Sequence, residues 1–279
     1  MPDRQEAVIF GGIDAAGQAL GDTWTWHAGC WSQQAPGLSP SARDSGAAVY
    51  DPIHHVVLMY GGRGDLQFHS DTWAWNGQTW TQVSSSAPAL MFAGPVAGFD
   101  PVSRRPILFG IVSGGNPETW SWDGSAWKNM SPSHSPIGRL SPSMALDASR
   151  GQLMLFGGIN TYLEQRQLND TWAWDGTDWI QLRPTNSPPA RFRATMGSLT
   201  ARHLVILWGG VTGGVAGDVV ASDAWKFDGA TWSQITSPGV RADEAAIDIG
   251  SRVLFFGGDG PDGSHNDLFA FDGTKWTAQ

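Results

Sequence analysis

Short apolar runs stopped by glycine recur along the chain: "VIFGG" ending at Gly12, "LMYGG" at Gly62, "ILFGI" at Ile111, "LMLFGG" at Gly158, "VILWGG" at Gly210 and "LFFGG" at Gly258. A short apolar run ended by paired glycines reads as a buried strand whose end needs a positive φ or a close backbone approach. Each run precedes an alternating segment: "DTWTWHAGCW" from Asp22, "DTWAWNGQTW" from Asp71, "ETWSWDGSAW" from Glu118, "DTWAWDGTDW" from Asp170, "DAWKFDGATW" from Asp223 and "DLFAFDGTKW" from Asp267. Alternation at period two predicts a strand. Asp175-Gly176 supplies a tight hairpin turn, and Trp179 opens the strand beyond it. Small-residue segments precede the glycine-stopped runs, as in "SGAAVYD" (45–51), "PVAGFD" (95–100) and "PSMALD" (142–147), and these predict a further strand. Four strands therefore recur about every fifty residues.

Four-stranded units repeated six times indicate radial repetition in a β-propeller. The small-residue strand, a, is innermost, where bulky side chains do not fit; Ala47, Ala48, Gly94, Ala97, Ala145 and Gly197 are given this steric role. Strands b, c and d follow outward. The glycine pair ending strand b, the aromatic of strand c and the tryptophan opening strand d resemble the kelch-repeat propellers across essentially the whole chain. The expected fold is an all-β, six-bladed kelch-type propeller in one domain, residues 1–279, with repeats at roughly 1–43, 44–91, 92–139, 140–191, 192–241 and 242–279. Alignment puts Met1 opposite Asp100, at the end of an inner strand, so the first blade lacks strand a. A start upstream of Met1 is the favoured explanation. A three-stranded blade and a strand donated by another chain are the alternatives.

Composition agrees with this fold: 36 Gly, 17 Pro and 16 Trp stand beside only 15% charged residues. A formal net charge of −9 and the lack of any basic run argue against a nucleic-acid partner. No apolar run approaches a membrane span, and "MPDRQEAVIF" has no signal-peptide pattern. The lone Cys30 rules out an internal disulfide framework. No cofactor is expected, and the compartment is left open.

A motif present in every blade describes architecture. The tryptophans are therefore assigned to packing between blades, and the acidic residue heading each phrase to accepting backbone N–H groups where loop meets strand. Function is sought in what does not repeat, above all the long, dissimilar b–c loops on the face shared with the d–a connections. Equivalent positions at the entry to strand a hold Arg43, Phe92, Arg139, Arg191 and Arg241. Two residues further, on the same side, stand Ser45, Gly94, Ser141, Arg193 and Asp243. If these point to the axis they form an arginine-lined channel mouth suited to an anion. Pairing of the arginines with carboxylates between blades is the alternative.

His69, His134 and His265 fall in loops of the same face but lack metal-ligand spacing, so no metal is assigned. The expected function is binding of a protein segment or a small anionic ligand by a monomer. The alternative is an isomerase, lyase or cyclase at the channel mouth, for which Glu164, Asp243, Glu244 and His265 could serve as acid and base. Among propellers of this resemblance, copper-radical oxidases need a cross-linked Cys–Tyr pair and further Tyr and His ligands. Cys30 lies in an outer hairpin and the tyrosines are limited to Tyr50, Tyr60 and Tyr162, so that activity is not expected.

Overall fold

The computed structural model describes residues 1–279 except 2–3, 15, 65–66, 86–87, 89, 91–93, 161, 163–165 and 214–216; Phe92 and Glu164 lie outside the described residues. Among the described residues the chain forms six larger antiparallel sheets, the blades of a β-propeller. The first has three strands, Glu6–Phe10, Thr23–His27 and Cys30–Gln34. The other five have four each, paired in chain order a-b-c-d; in the fourth these are Ser143–Asp147, Gln152–Phe156, Thr171–Trp174 and Trp179–Leu182. Among the described residues the first sheet thus has no strand a.

Contacts divide the chain into two compact units, residues 1–99 with 103–131, and 100–102 with 132–279. The first unit carries sheets one to three and the second carries sheets four to six. In the second unit each b–c connection folds into a two-stranded ribbon: Ile159–Asn160 with Arg166–Gln167, Val211–Thr212 with Val219–Val220, and Asp259–Gly260 with Gly263–Ser264. Bridges from Leu140 to Ile159, Phe192 to Val211 and Ala242 to Asp259 place the entry to strand a beside the root of its own ribbon. No helix among the described residues is long and apolar enough to cross a membrane.

The tryptophans do what repetition implied. Within a blade, the ring ending strand c meets the ring opening strand d, with centroids 5.4 Å apart for Trp75–Trp80 and for Trp174–Trp179. The strand-d tryptophan also packs on strand b of the preceding blade, Trp80 on Phe10 at 5.3 Å and Trp232 on Phe156 at 5.4 Å. Its indole N–H then bonds the threonine that opens strand c of that blade: Trp80 to Thr23 at 3.0 Å, Trp127 to Thr72 at 2.9 Å, Trp232 to Thr171 at 3.3 Å. One side chain therefore fills the gap between neighbouring sheets and has its polar atom satisfied there.

The c–d hairpin holds four residues between Trp174 and Trp179, one turn wider than the tightest Asp-Gly form. Asp175 caps it by accepting from the Thr177 and Asp178 amides, and Gly176 supplies φ +102°.

The steric role of the inner strand holds at Gly197. A Cβ there would overlap Val253 Cγ2 and sit 3.2 Å from Ala246 Cβ, on strands b and a of the next sheet in the same unit. Gly94 is different: it precedes its strand and has φ +78°, so its lack of a side chain serves backbone conformation. Replacing Gly197 by alanine should destabilise the protein by about 1–3 kcal/mol through overpacking. Urea unfolding measures this, and a change under about 0.5 kcal/mol would show that the inner strands have room to spare.

Candidate functional site

The entry to strand a is where the chain concentrates its buried charge. Arg43, Arg139 and Arg191 are each about 1% exposed. Each guanidinium forks onto the acidic residue that heads strand c: Arg43 onto Asp71 at 2.6 and 3.1 Å, Arg139 onto Asp170 at 2.5 and 2.9 Å, Arg191 onto Asp223 at 2.6 and 2.8 Å. The same Nη1 atoms donate to the first carbonyl of the glycine pair, at Gly61, Gly157 and Gly209, at 2.8–2.9 Å. Nε donates to the carbonyl two residues upstream, at Ser41, Ile137 and Pro189. On the far side of the carboxylate the first tryptophan of strand c donates its indole N–H, from Trp73, Trp172 and Trp225, at 2.7 Å. The acidic residue thus accepts from side chains, where backbone N–H partners were expected. A carboxylate among buried arginine and indole donors is better matched by those charged and fixed partners than by the extended backbone beside it.

Burial alone would raise the carboxyls of Asp71, Asp170 and Asp223. The arginine and tryptophan hydrogen bonds, with the arginine charge, outweigh it and hold all three below the usual carboxylate range.

Arg43, Arg139 and Arg191 therefore belong to a closed clamp that joins three segments of their own sheets. Arg191 and Arg193 do not share a side, because the residue two past each entry arginine is left-handed. Its φ is +56° at Ser45, +47° at Ser141, +56° at Arg193 and +61° at Asp243. That conformation breaks the alternation on which a common facing depended. Arg193 is turned outward, with its side chain 36% exposed; it pairs with Asp243 and reaches Asp259 Oδ2 at 3.1 Å.

Each of the three histidines has a polar neighbour of its own within its unit. In the first unit, the His69 Nε2 lies 3.4 Å from Ser41 Oγ, and burial together with the Arg43 charge lowers its pKa against the pull of Asp71. His134 is held by Asp178 at 2.6 Å, in the c–d turn at the opposite end of strand c from the ribbon. His265 pairs with Asp262 at 3.0 Å in the last ribbon.

The entry to the sixth sheet departs from the clamp. Arg241 makes a single contact with its acidic partner, Nη2 to Asp267 Oδ2 at 2.6 Å, and its Nη1 bonds the Val240 carbonyl. Phe269 stands where the other clamps have a tryptophan, so no indole donor reaches Asp267. Beside it Glu244 is 7% exposed, at a position held by Gly46, Pro142 and Ala194 in other blades. Arg241 Nε, both Glu244 carboxyl oxygens and Asp267 Oδ1 are buried without a hydrogen-bond partner. Burial pushes the Glu244 carboxyl up to about 8; the Asp243 charge adds to this, while nearby hydrogen bonds and Arg241 oppose it. The composition of this entry was visible in the sequence, as "RADE" against "RDSG", "RLSP" and "RFRA", but the consequence depends on packing.

Among the described residues the six blades of the β-propeller share this clamp at three entries, those of the second, fourth and fifth blades, and the sixth keeps the arginine and the carboxylate but not the fork. No family model matches the chain. A stretch of 142 residues is 30% identical to the flagellar outer-arm dynein alpha chain of Chlamydomonas reinhardtii. That stretch covers 45% of this chain and 3% of the dynein, so the chain spans a small fraction of that protein's length.

Two consequences can be measured. Arg191→Ala leaves the half-buried Asp223 carboxylate without its fork and should destabilise the protein by about 2–4 kcal/mol in urea unfolding at neutral pH. Because the folded pKa of Asp223 is depressed, that stabilisation is present above the ordinary carboxylate range. It is lost as pH falls through the folded value, so the gap between wild type and variant should close in acid. Glu244 has the reverse sign. Its folded pKa is raised, the folded state holds a proton between about 4.5 and about 8, and stability should fall as pH rises across that window. Glu244→Gln should remove that slope and stabilise the protein at pH 8.5 by on the order of 1–3 kcal/mol. A wild-type stability profile that is flat across the window would overturn this account.

Proposed function

We propose that the chain is a kelch-type propeller acting as a binding module, and that it recognises a protein segment with the side carrying the b–c ribbons and the entries to strand a. The observation that carries this reading is the contrast between repeated and unrepeated charge. Arg43, Arg139 and Arg191 spend their guanidinium donors inside the fold. Arg193, Arg241, Asp243, Glu244, Asp259, Asp262, His265 and Asp267 form a constellation found at one pair of neighbouring entries. Charge that no blade needs for packing, set beside ribbons of differing sequence, is what a recognition surface requires.

The balance of that constellation favours a protein segment over a small anion. Two arginines face four aspartates, and Glu244 is held largely neutral near pH 7. Ligand contacts in this reading pass from the buried arginines to Arg193, Arg241, Asp243 and Asp259.

Selection of a displayed library of random peptides against the protein tests it. Enriched peptides should lose at least about tenfold in affinity on Asp243→Asn or Asp259→Asn. They should keep their affinity on Arg252→Ala, an exposed residue of an a–b turn at the opposite end of the sheet. Equal binding to all three variants, or a library from which nothing is enriched, would overturn the reading.

A further inference from the structure

The place vacated by Arg241 has a shape that the other blades define. A Cβ on Gly62 would lie 3.3 Å from Arg43 Cδ, and one on Gly158 would lie 3.2 Å from Arg139 Cδ, because the arginine stem crosses the second glycine of the pair. At the matching Gly258 the neighbour is Glu244 Cγ, at 2.9 Å. Glu244 thus lies along the track of the clamp arginine, and Arg241 is turned aside to Val240. In the second, fourth and fifth blades a guanidinium joins the glycine carbonyl to the first carboxylate oxygen. In the sixth, Asp267 Oδ1 and both Glu244 oxygens are buried without a well-formed hydrogen bond, the Thr195 hydroxyl beside Glu244 donating to its backbone carbonyl at 2.8 Å, and Arg241 donates to Val240 and Asp267 instead of the Gly257 carbonyl.

Buried acceptors without donors are costly, and a site that keeps several of them together is shaped for a group that brings N–H donors. Among the described residues no three His, Cys, Asp or Glu side chains are grouped to hold a metal ion, so the donor expected here is organic. Asp243, Asp259 and Asp262 around the opening leave the local charge negative even with Arg193 and Arg241 present.

We propose that the entry of the sixth blade is a site for one guanidinium group, the arginine side chain of a bound protein segment, seated on Glu244 and Asp267 where other blades place an arginine of their own. The proposal rests on the reading of the chain as a module for protein segments, and it names the group that such a segment inserts. A planar group with N–H donors on two edges matches acceptors that already hold guanidinium in the equivalent places. Glu244 and Asp267 supply the opposing charge.

Methylguanidinium chloride is the probe, with tetramethylammonium chloride at equal ionic strength as a control that carries charge but no N–H donor. The readout is the amide and arginine Nε–H spectrum of isotope-labelled protein at pH 8.5, where Glu244 is largely ionised. Saturable shifts should appear at residues 241–244 and 257–268 with methylguanidinium and not with tetramethylammonium. Glu244→Gln and Asp267→Asn should each weaken binding at least about tenfold.

Arg241→Ala guards against a variant that merely disturbs the fold, because it removes the competing internal cation and should tighten binding several-fold. Absence of saturable shifts in wild type, equal binding by Glu244→Gln, or weaker binding by Arg241→Ala would each overturn the proposal. Methylguanidinium binding without any enriched peptide would keep this site and defeat the protein-segment reading. Enriched peptides that bind independently of Glu244 would do the opposite.

Discussion

A guanidinium taken out of water must replace every lost hydrogen bond, and the loop side of the second, fourth and fifth blades is organised around meeting that demand. The arginine at the head of strand a is satisfied by a carbonyl upstream, by the end of strand b and by the carboxylate opening strand c. Three segments that are distant in sequence are thereby set in one geometry. The ion pair is a modest source of net stability, since desolvation of both charges offsets much of their attraction. Its value is in register, because a slip of one residue in any of the three segments would strand a buried charge. The tryptophan that bonds the same carboxylate then couples this polar lock to the apolar packing of the sheet.

The blades that depart from the pattern do so in ways that follow from the same demand. Among the described residues the first sheet has three strands, and Asp22 accepts from the indole of Trp24 at 2.6 Å. The third has Glu118 at the acidic position, bonded by Trp120 at 2.8 Å. In the sixth, arginine and carboxylate keep a single contact, an additional buried carboxyl lies along the track of the clamp arginine, and the indole has become Phe269. Among the described clamp residues, buried donors and acceptors without a partner gather at that entry.

Much of this was legible in the sequence. Blade number, strand order, the short first blade and the packing role of the tryptophans all follow from periodicity and repetition, because those features arise from contacts that every blade makes. Pairing of the entry arginines with carboxylates stays open at the level of sequence, since spacing does not tell a channel-facing side chain from one folded back on its own sheet. What hid the answer was the left-handed residue after each entry. Ser45, Ser141 and Arg193 carry side chains that seldom mark such a turn, and alternation counted through these positions gives the wrong face. Glu244 was noticed as a possible acid or base. Its burial depends on Gly258 and Gly209, neither of which is near it in sequence.

That left-handed residue has a further consequence for how such a surface can change. Its side chain is turned away from the clamp, so serine, arginine and aspartate succeed one another there while the buried arginine beside them stays in place. Specificity can drift at these positions with little effect on the scaffold, and a designer could rewrite them in several blades at once. The neighbouring position is the opposite case: a single glutamate there has been enough to unseat an arginine. Adjacent residues in one turn thus separate the part of the surface that is free to diversify from the part that is not.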